Sequence, residues 1–211
     1  MDGVIIDSEP THQSIETQMF NELGLSLTEE EHLSFVGTSS QDMWTALKSR
    51  FDVKMTPVEL LHLGRNLYWE ALENGQVPLV EGVVDLIGQF HKKGYKLQVA
   101  SSATRPTIHK VLEYFSLEHF FGYIIGGDDV KKSKPDPEIF YKAAGQSGSF
   151  PSQCLVIEDS ANGTRAAKAA GMYCIGFINP GSGNQDLSVA DVIVNKLSEI
   201  DVRKINELIL K

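Results

Sequence analysis

Between Thr11 and Gly75 the apolar residues recur at intervals of three and four, the period of one helical face. Ile15, Met19, Phe20 and Leu23 form one such face and stop at Gly24. Met43, Trp44, Leu47 and Phe51 form a second. Thr56-Pro57 opens a third helix over Leu60, Leu61, Leu63, Leu67 and Leu72, with proline at a position that suits a helix start. Beyond Pro78 the pattern changes. Val83, Val84, Leu86, Ile87 and Phe90 predict a helix ending at Gly94, and Lys96 to Ala100 a short buried strand. A helix over Pro106–Tyr114, a strand at Tyr123–Ile125 and a helix over Pro137–Ala144 follow. Then come a strand at Cys154–Ile157, a helix over Ala161–Ala170 and a strand at Tyr173–Phe177. Val192–Val194 predicts a last strand and Arg203–Leu210 a closing helix. Strands alternating with helices imply an α/β fold with a doubly wound, mainly parallel sheet. The all-helical stretch 11–78 fits no βαβ unit and is expected to be an inserted helical domain, with residues 1–10 and 79–211 forming the α/β core.

Composition changes this picture little but removes alternatives. A hydrophobic fraction of 42% with 22% charged residues is that of a globular chain, not a disordered one. Nineteen Lys and Arg against 28 Asp and Glu leave a net charge of −9, which argues against nucleic-acid binding. An anionic substrate stays possible, because local groups set a phosphate pocket. Cys154 and Cys174 lie in apolar runs and read as buried thiols of a reducing compartment. No apolar run approaches the ~20 residues of a membrane span. Met1 is followed by an acid and lacks a basic region, so no signal peptide is expected and the cytoplasm is the default.

In open parallel sheets, ligands collect at the carboxyl ends of the strands, so polar residues there deserve first scrutiny. Asp2-Gly3 offers a carboxylate able to act as general acid and then base, or else a turn pair. Ser101-Ser102, directly after Val99-Ala100, offers hydroxyl and backbone donors to a phosphate, or else a helix cap. Lys134, in the rigid Lys-Pro-Asp-Pro run, offers a cation for a phosphoryl group, or else a solvated basic loop. Glu158-Asp159 closes an apolar strand, where paired acids are costly without a cation; the alternative for Asp159 is an N-cap.

In this order, Asp-Gly, Ser, Lys-Pro and Glu-Asp resemble the four motifs of the haloacid dehalogenase superfamily. The insert after Asp7-Ser8 is similar to the small helical cap of its β-phosphoglucomutase and phosphoglycolate phosphatase branch. Gly37-Thr38 with Asp42, Pro78 to Gly82 and Ser160 to Gly163 resemble further stretches. The resemblance implies a Rossmann-like core and phosphoryl transfer through an aspartyl-phosphate. Asp2 then matches the acid/base, and its carbonyl a Mg²⁺ ligand. Ser101 matches the phosphate-binding serine, Lys134 the charge-balancing lysine, and Asp159 with Glu158 the metal-binding acids. Gly3, His12, Gly37, Thr38, Ser102 and Arg105 are expected around the substrate, a small phosphorylated metabolite. The family motif reads Asp-x-Asp-Gly, so Met1 stands at x and the nucleophilic Asp would lie immediately before it.

Where the mutase pattern has an Arg and a Lys, this chain has Ser40 and Glu70. A sugar bisphosphate needs such a clamp for its second phosphate, which favours a phosphatase. Arg65 or Arg105 as a replacement cation keeps a β-phosphoglucomutase-like phosphotransferase open. A chain truly beginning at Met1 would instead be an inactive phosphate-binding protein. No nucleic-acid or membrane partner is expected, and the assembly is expected to be a monomer or weak dimer.

Overall fold

The computed structural model of the chain describes residues 1–28, 31 and 40–209. Its contacts divide the chain into two compact units, Pro10–Val77 and Met1–Glu9 with Pro78–Lys211.

The first unit is helical. α1 (Glu9–Glu22) buries Thr11, Ile15, Met19 and Phe20, one face at the four-residue spacing of the sequence. α2 (Ser40–Arg50) buries Met43, Trp44 and Leu47. Phe20 meets Trp44 edge to face, with ring centroids 5.6 Å apart. α3 (Pro57–Glu73) buries Leu60, Tyr68, Ala71 and Leu72. Its start is locked by a reciprocal cap: the Thr56 hydroxyl accepts from the Glu59 amide, and the Glu59 carboxylate accepts from Thr56. Lys48 donates to the carbonyls of Val53 (2.6 Å) and Met55 (2.9 Å), pinning the α2–α3 connection.

The second unit carries the strands. α4 (Val83–Lys92) buries Val83, Leu86, Ile87 and Phe90. β1 (Leu97–Ala100) pairs in parallel with β2 (Phe121–Ile125), with Val99 opposite Ile124 and Ala100 opposite Ile125. α5 (Arg105–Tyr114) connects them, and α6 (Glu138–Ser147) follows β2. β3 (Leu155–Glu158), β4 (Tyr173–Phe177) and β5 (Val192–Val194) form a second parallel sheet in that order. α7 (Ala161–Ala169) links β3 to β4, and α8 (Ile205–Ile209) ends the described chain. One core joins the two sheets: Ile125 of β2, Ile139 and Phe140 of α6, Val156 of β3, Ala166 of α7 and Cys174 of β4 are buried together.

The α/β class and the parallel strands are as expected. The sheet itself differs, because it is divided. Among the described residues β1 pairs only with β2, and β3 only with β4. The chain's first residues do not bridge them. Met1–Ile6 folds into a tight turn, with the Gly3 amide donating to the Ile6 carbonyl (2.7 Å) and the Ile5 amide to Met1 (2.7 Å). Val80 then donates to the Ile5 carbonyl (3.0 Å) and Asp7 to Pro78 (2.9 Å), tying this turn to the start of the second long segment. The closing helix also begins two residues later than expected, at Ile205, and its expected end at Leu210 lies outside the described residues. Asp201 accepts from the Arg203 amide and sets a tight turn at Val202–Lys204 before α8. Among the described residues no helix is long and apolar enough to cross a membrane.

Candidate active site

Five chain segments meet at the carboxyl ends of β1 and β3. The first is the amino-terminal turn. The Asp2 carboxylate accepts hydrogen bonds from the Ser8 hydroxyl (2.9 Å, Oδ1) and the Ser101 hydroxyl (3.3 Å, Oδ2). Both serines are buried. Ser101 is set by the end of β1, where its amide donates to the Ile125 carbonyl of β2 at 3.0 Å. Its oxygen also accepts from the Ala103 amide (3.1 Å), so the hydroxyl is oriented from both sides.

Lys134 comes from the loop between β2 and α6. Its ammonium donates to the Ala100 carbonyl (3.2 Å), lies 5.0 Å over the Phe140 ring and pairs with Glu158. Glu158 is the last residue of β3 and is buried. Its other oxygen accepts from the Ser160 hydroxyl (3.0 Å) and amide (3.3 Å). Gly163, in the first turn of α7, leaves room for it; a Cβ there would collide with the carboxylate. Burial works to raise the Glu158 pKa. Lys134 and the Ser160 hydroxyl offset this, and the group stays below the ordinary glutamate range.

Asp159 sits one residue on and fares differently. Its Oδ2 accepts from the Ser182 hydroxyl at 2.5 Å. Gly3 lies against the same carboxylate: it has φ +69°, and a Cβ would collide with Asp159. Burial and the neighbouring Glu158 push Asp159 up to about 6, against the weaker pull of Ser182 and the amino terminus. Asn179 completes this side, donating to the Gly3 carbonyl (3.0 Å) and to Asp7 (3.4 Å).

Asp2, Gly3, Ser101, Lys134, Glu158 and Asp159 thus form one contact chain. Ser102 is exposed next to it. Arg105 points its resources elsewhere: its amide donates to Asp128 (2.9 Å) and its guanidinium lies 3.5 Å from Asp129. His12 belongs to the helical unit, where it is exposed and stacks on Tyr68 with centroids 4.6 Å apart. Gly37 and Thr38 lie outside the described residues. Sequence reasoning missed Asn179 and Ser182. The signal was there, since both follow β4, and the same strand-end rule applies to Asn179-Pro-Gly-Ser182. Burial pushes the Cys174 thiol up to about 12, so it is no nucleophile, and both cysteines are free.

The donor set suits a hard cation. Among the described residues no three His, Cys, Asp or Glu gather as a metal cage. Mg²⁺ asks for less: one or two carboxylates, with waters and substrate phosphate supplying the rest. Asp159 is a partly buried carboxylate with no Lys or Arg ion pair among the described residues, facing the backbone of Gly3. That is the electrostatic setting a divalent ion would relieve.

The haloacid dehalogenase-like hydrolase family model matches residues 1–177, and the chain belongs to that family. It is 34% identical over 145 residues to the haloacid dehalogenase-like hydrolase domain-containing protein At4g39970 of Arabidopsis thaliana, covering 67% of this chain but only 46% of that relative. It is 29% identical over 224 residues to the phosphoglycolate phosphatase of Salmonella typhimurium, covering 95% of this chain and 88% of that protein. The crystal structure of CbbY from Rhodobacter sphaeroides in complex with phosphate matches the fold with a TM-score of 0.86, at 23% identity, covering 98% of this chain and 96% of that one.

Proposed function

We propose that the protein is a Mg²⁺-dependent phosphatase of a small phosphorylated metabolite, working through an aspartyl-phosphate on an aspartate directly preceding Met1. The observation that carries this reading is the convergence of Asp2, Ser101, Lys134 and Asp159 at two strand ends. The phosphatase named among the relatives supports the reaction class, and the phosphate-bound structural neighbour supports an anionic ligand.

In this reading the Asp2 carboxyl gives its proton to the departing alkoxide as the attacking aspartate takes the phosphoryl group. Asp2 then takes a proton from the water that attacks phosphorus, and phosphate leaves with the aspartate restored. Ser8 and Ser101 hold Asp2 in one orientation through this cycle. The Ser101 hydroxyl also offers a donor to a phosphate oxygen, and Lys134 brings positive charge to the same strand end. Asp159 and the Asp2 carbonyl would hold Mg²⁺, which when bound neutralises charge on the phosphoryl oxygens. Glu158 acts beneath them as the counter-ion that keeps Lys134 in place.

Hydrolysis is preferred to mutase chemistry because both replacement cations are engaged. Arg105 lies beside Asp129, and the Arg65 guanidinium lies 5.1 Å over the Trp69 ring. Neither stands ready to clamp a second phosphate. The helical unit is read as the cap that selects substrate, with His12 near its start. The two free thiols favour a reducing compartment, the cytoplasm.

The test is phosphate release from small phosphomonoesters by the chain carrying an aspartate directly before Met1. Activity is expected only with Mg²⁺, and Asp2→Asn is expected to lower kcat at least ~100-fold with the fold retained. Full activity of Asp2→Asn, or efficient interconversion of hexose 1- and 6-phosphates, would overturn the reading.

A further inference from the structure

Asn179 uses more of its side chain than its place in the chain requires. It precedes the tight turn Pro180–Ser182 after β4 and is buried, 6% exposed. Its side-chain oxygen accepts from the Gly181 amide (2.8 Å), which caps that turn. Capping needs only this oxygen, and a serine would serve. The nitrogen half is aimed elsewhere, at the Gly3 carbonyl (3.0 Å) and the Asp7 carboxylate (3.4 Å), and the bond to Gly3 spans 176 residues of sequence. These bonds fix which way the carboxamide faces, since a flipped group would set its oxygen against the Gly3 carbonyl.

Gly3 needs such a grip. It is a glycine at φ +69°, with no side chain to hold it in place. Its amide donates to the Ile6 carbonyl (2.7 Å), so the peptide group on one side is fixed by the amino-terminal turn and the one on the other side by Asn179. The turn after β4 also reaches the acid that Gly3 packs against. Ser182 donates to Asp159 Oδ2 (2.5 Å), and its amide returns to the Asn179 carbonyl (3.1 Å). Gln185 then ties the loop down, donating to the Ser182 carbonyl (3.1 Å) and accepting from the Ala161 amide at the start of α7 (3.1 Å). One short turn therefore holds both partners of the Gly3–Asp159 contact, Asn179 from the Gly3 carbonyl and Ser182 from the carboxylate.

We propose that Asn179 is a positioning residue for a divalent cation: without touching the ion, it sets the spacing between the Asp2–Gly3 backbone and Asp159. The inference rests on the phosphatase reading, in which Asp159 and the Asp2 carbonyl hold Mg²⁺. That ion demands near-octahedral geometry, so two ligands from separate chain segments need a fixed separation. Groups that orient ligands from behind govern metal affinity by about 10–100-fold.

The experiment titrates Mg²⁺ calorimetrically into the parent and into Asn179→Ser, both in the form used to test phosphate release. Serine keeps an oxygen for the Gly181 amide but is too short to carry a donor to the Gly3 carbonyl as well. The Mg²⁺ dissociation constant is expected to rise at least ~10-fold in the variant, and its kcat to return toward the parent value as Mg²⁺ is raised. Unfolding of the metal-free proteins shows whether the variant is folded at the titration temperature. If it is not, Asn179→Gln takes its place with the same expectation, because it displaces the donor by one methylene. Unchanged Mg²⁺ affinity would overturn the proposal, whether or not the unfolding midpoint falls. So would a loss of kcat that is the same at every Mg²⁺ concentration. A parent that binds Mg²⁺ more tightly than the variant but releases no phosphate upholds the role of Asn179 and counts against the phosphatase reading. A parent that releases phosphate, with equal Mg²⁺ affinity in parent and variant, does the reverse.

Discussion

The end of β3 has two sides, and they treat adjacent carboxylates in opposite ways. On one side Glu158 lies under Lys134, Ser160 and the open backbone of Gly163, fully compensated by groups of the chain. On the other Asp159 lies against Gly3 and Ser182, with one hydroxyl donor and no ion pair with a Lys or Arg among the described residues. The first arrangement is closed: charge, donors and packing are all used. The second is open, because its carboxylate is held in place yet remains short of positive charge. A buried pair that is complete holds structure, while a buried acid that is incomplete is where a bound ion or substrate has most to gain.

The largest effect should come from breaking the closed side. Lys134→Met keeps the stem over Phe140 but leaves Glu158 buried without its cation. Chemical denaturation is expected to show a loss of about 3–5 kcal/mol, much of it recovered in the double variant with Glu158→Gln. A loss below ~1 kcal/mol would mean that the two sides do not differ as described.

Asp159→Asn sharpens the contrast from the open side. Folding raises the Asp159 pKa from 3.8 to about 6, so the folded chain favours the protonated acid. Its stabilising contribution is complete below about pH 4 and is lost as pH rises through about 6. Without metal, the asparagine variant should therefore gain on the parent between pH 4 and 7, by roughly 2 kcal/mol. Denaturation midpoints at the two pH values measure this. A difference that does not change with pH would break the comparison.

The smallest effect is expected from Ser182→Ala. It removes a side-chain donor to Asp159, costing about 1 kcal/mol at neutral pH and less at pH 4, where the acid is neutral. Equal losses at both pH values would place the role of Ser182 in packing instead.

Much of the architecture follows from local pattern. The strands at Tyr173–Phe177 and Val192–Val194 coincide with the expected ones, because a short apolar run between turn residues has few other uses in an α/β chain. Ser101, Lys134 and Glu158-Asp159 are legible for a related reason: each follows an apolar run, or lies in a loop held by prolines. What local pattern cannot carry is pairing between distant segments. Lys134 reaches Ala100 and Glu158 across 34 and 24 residues, and nothing in the Lys-Pro-Asp-Pro run says which acid it will meet. Arg105 is a candidate replacement cation in the sequence, but the Asp128-Asp129 turn past β2 engages it. Asn179 and Ser182 escape local pattern because their partners, Gly3 and Asp159, lie at the far end of the chain and just past another strand.

The sequence by itself therefore determined the alternation of helices and strands and the chemical types available at the strand ends, since these depend on periodicity and near neighbours. Only the tertiary structure decided which of two adjacent acids is neutralised and which edges of the sheet stay open. Both depend on burial and on contacts between segments far apart in the chain, where a charge or a backbone edge acquires its cost only once water has been removed.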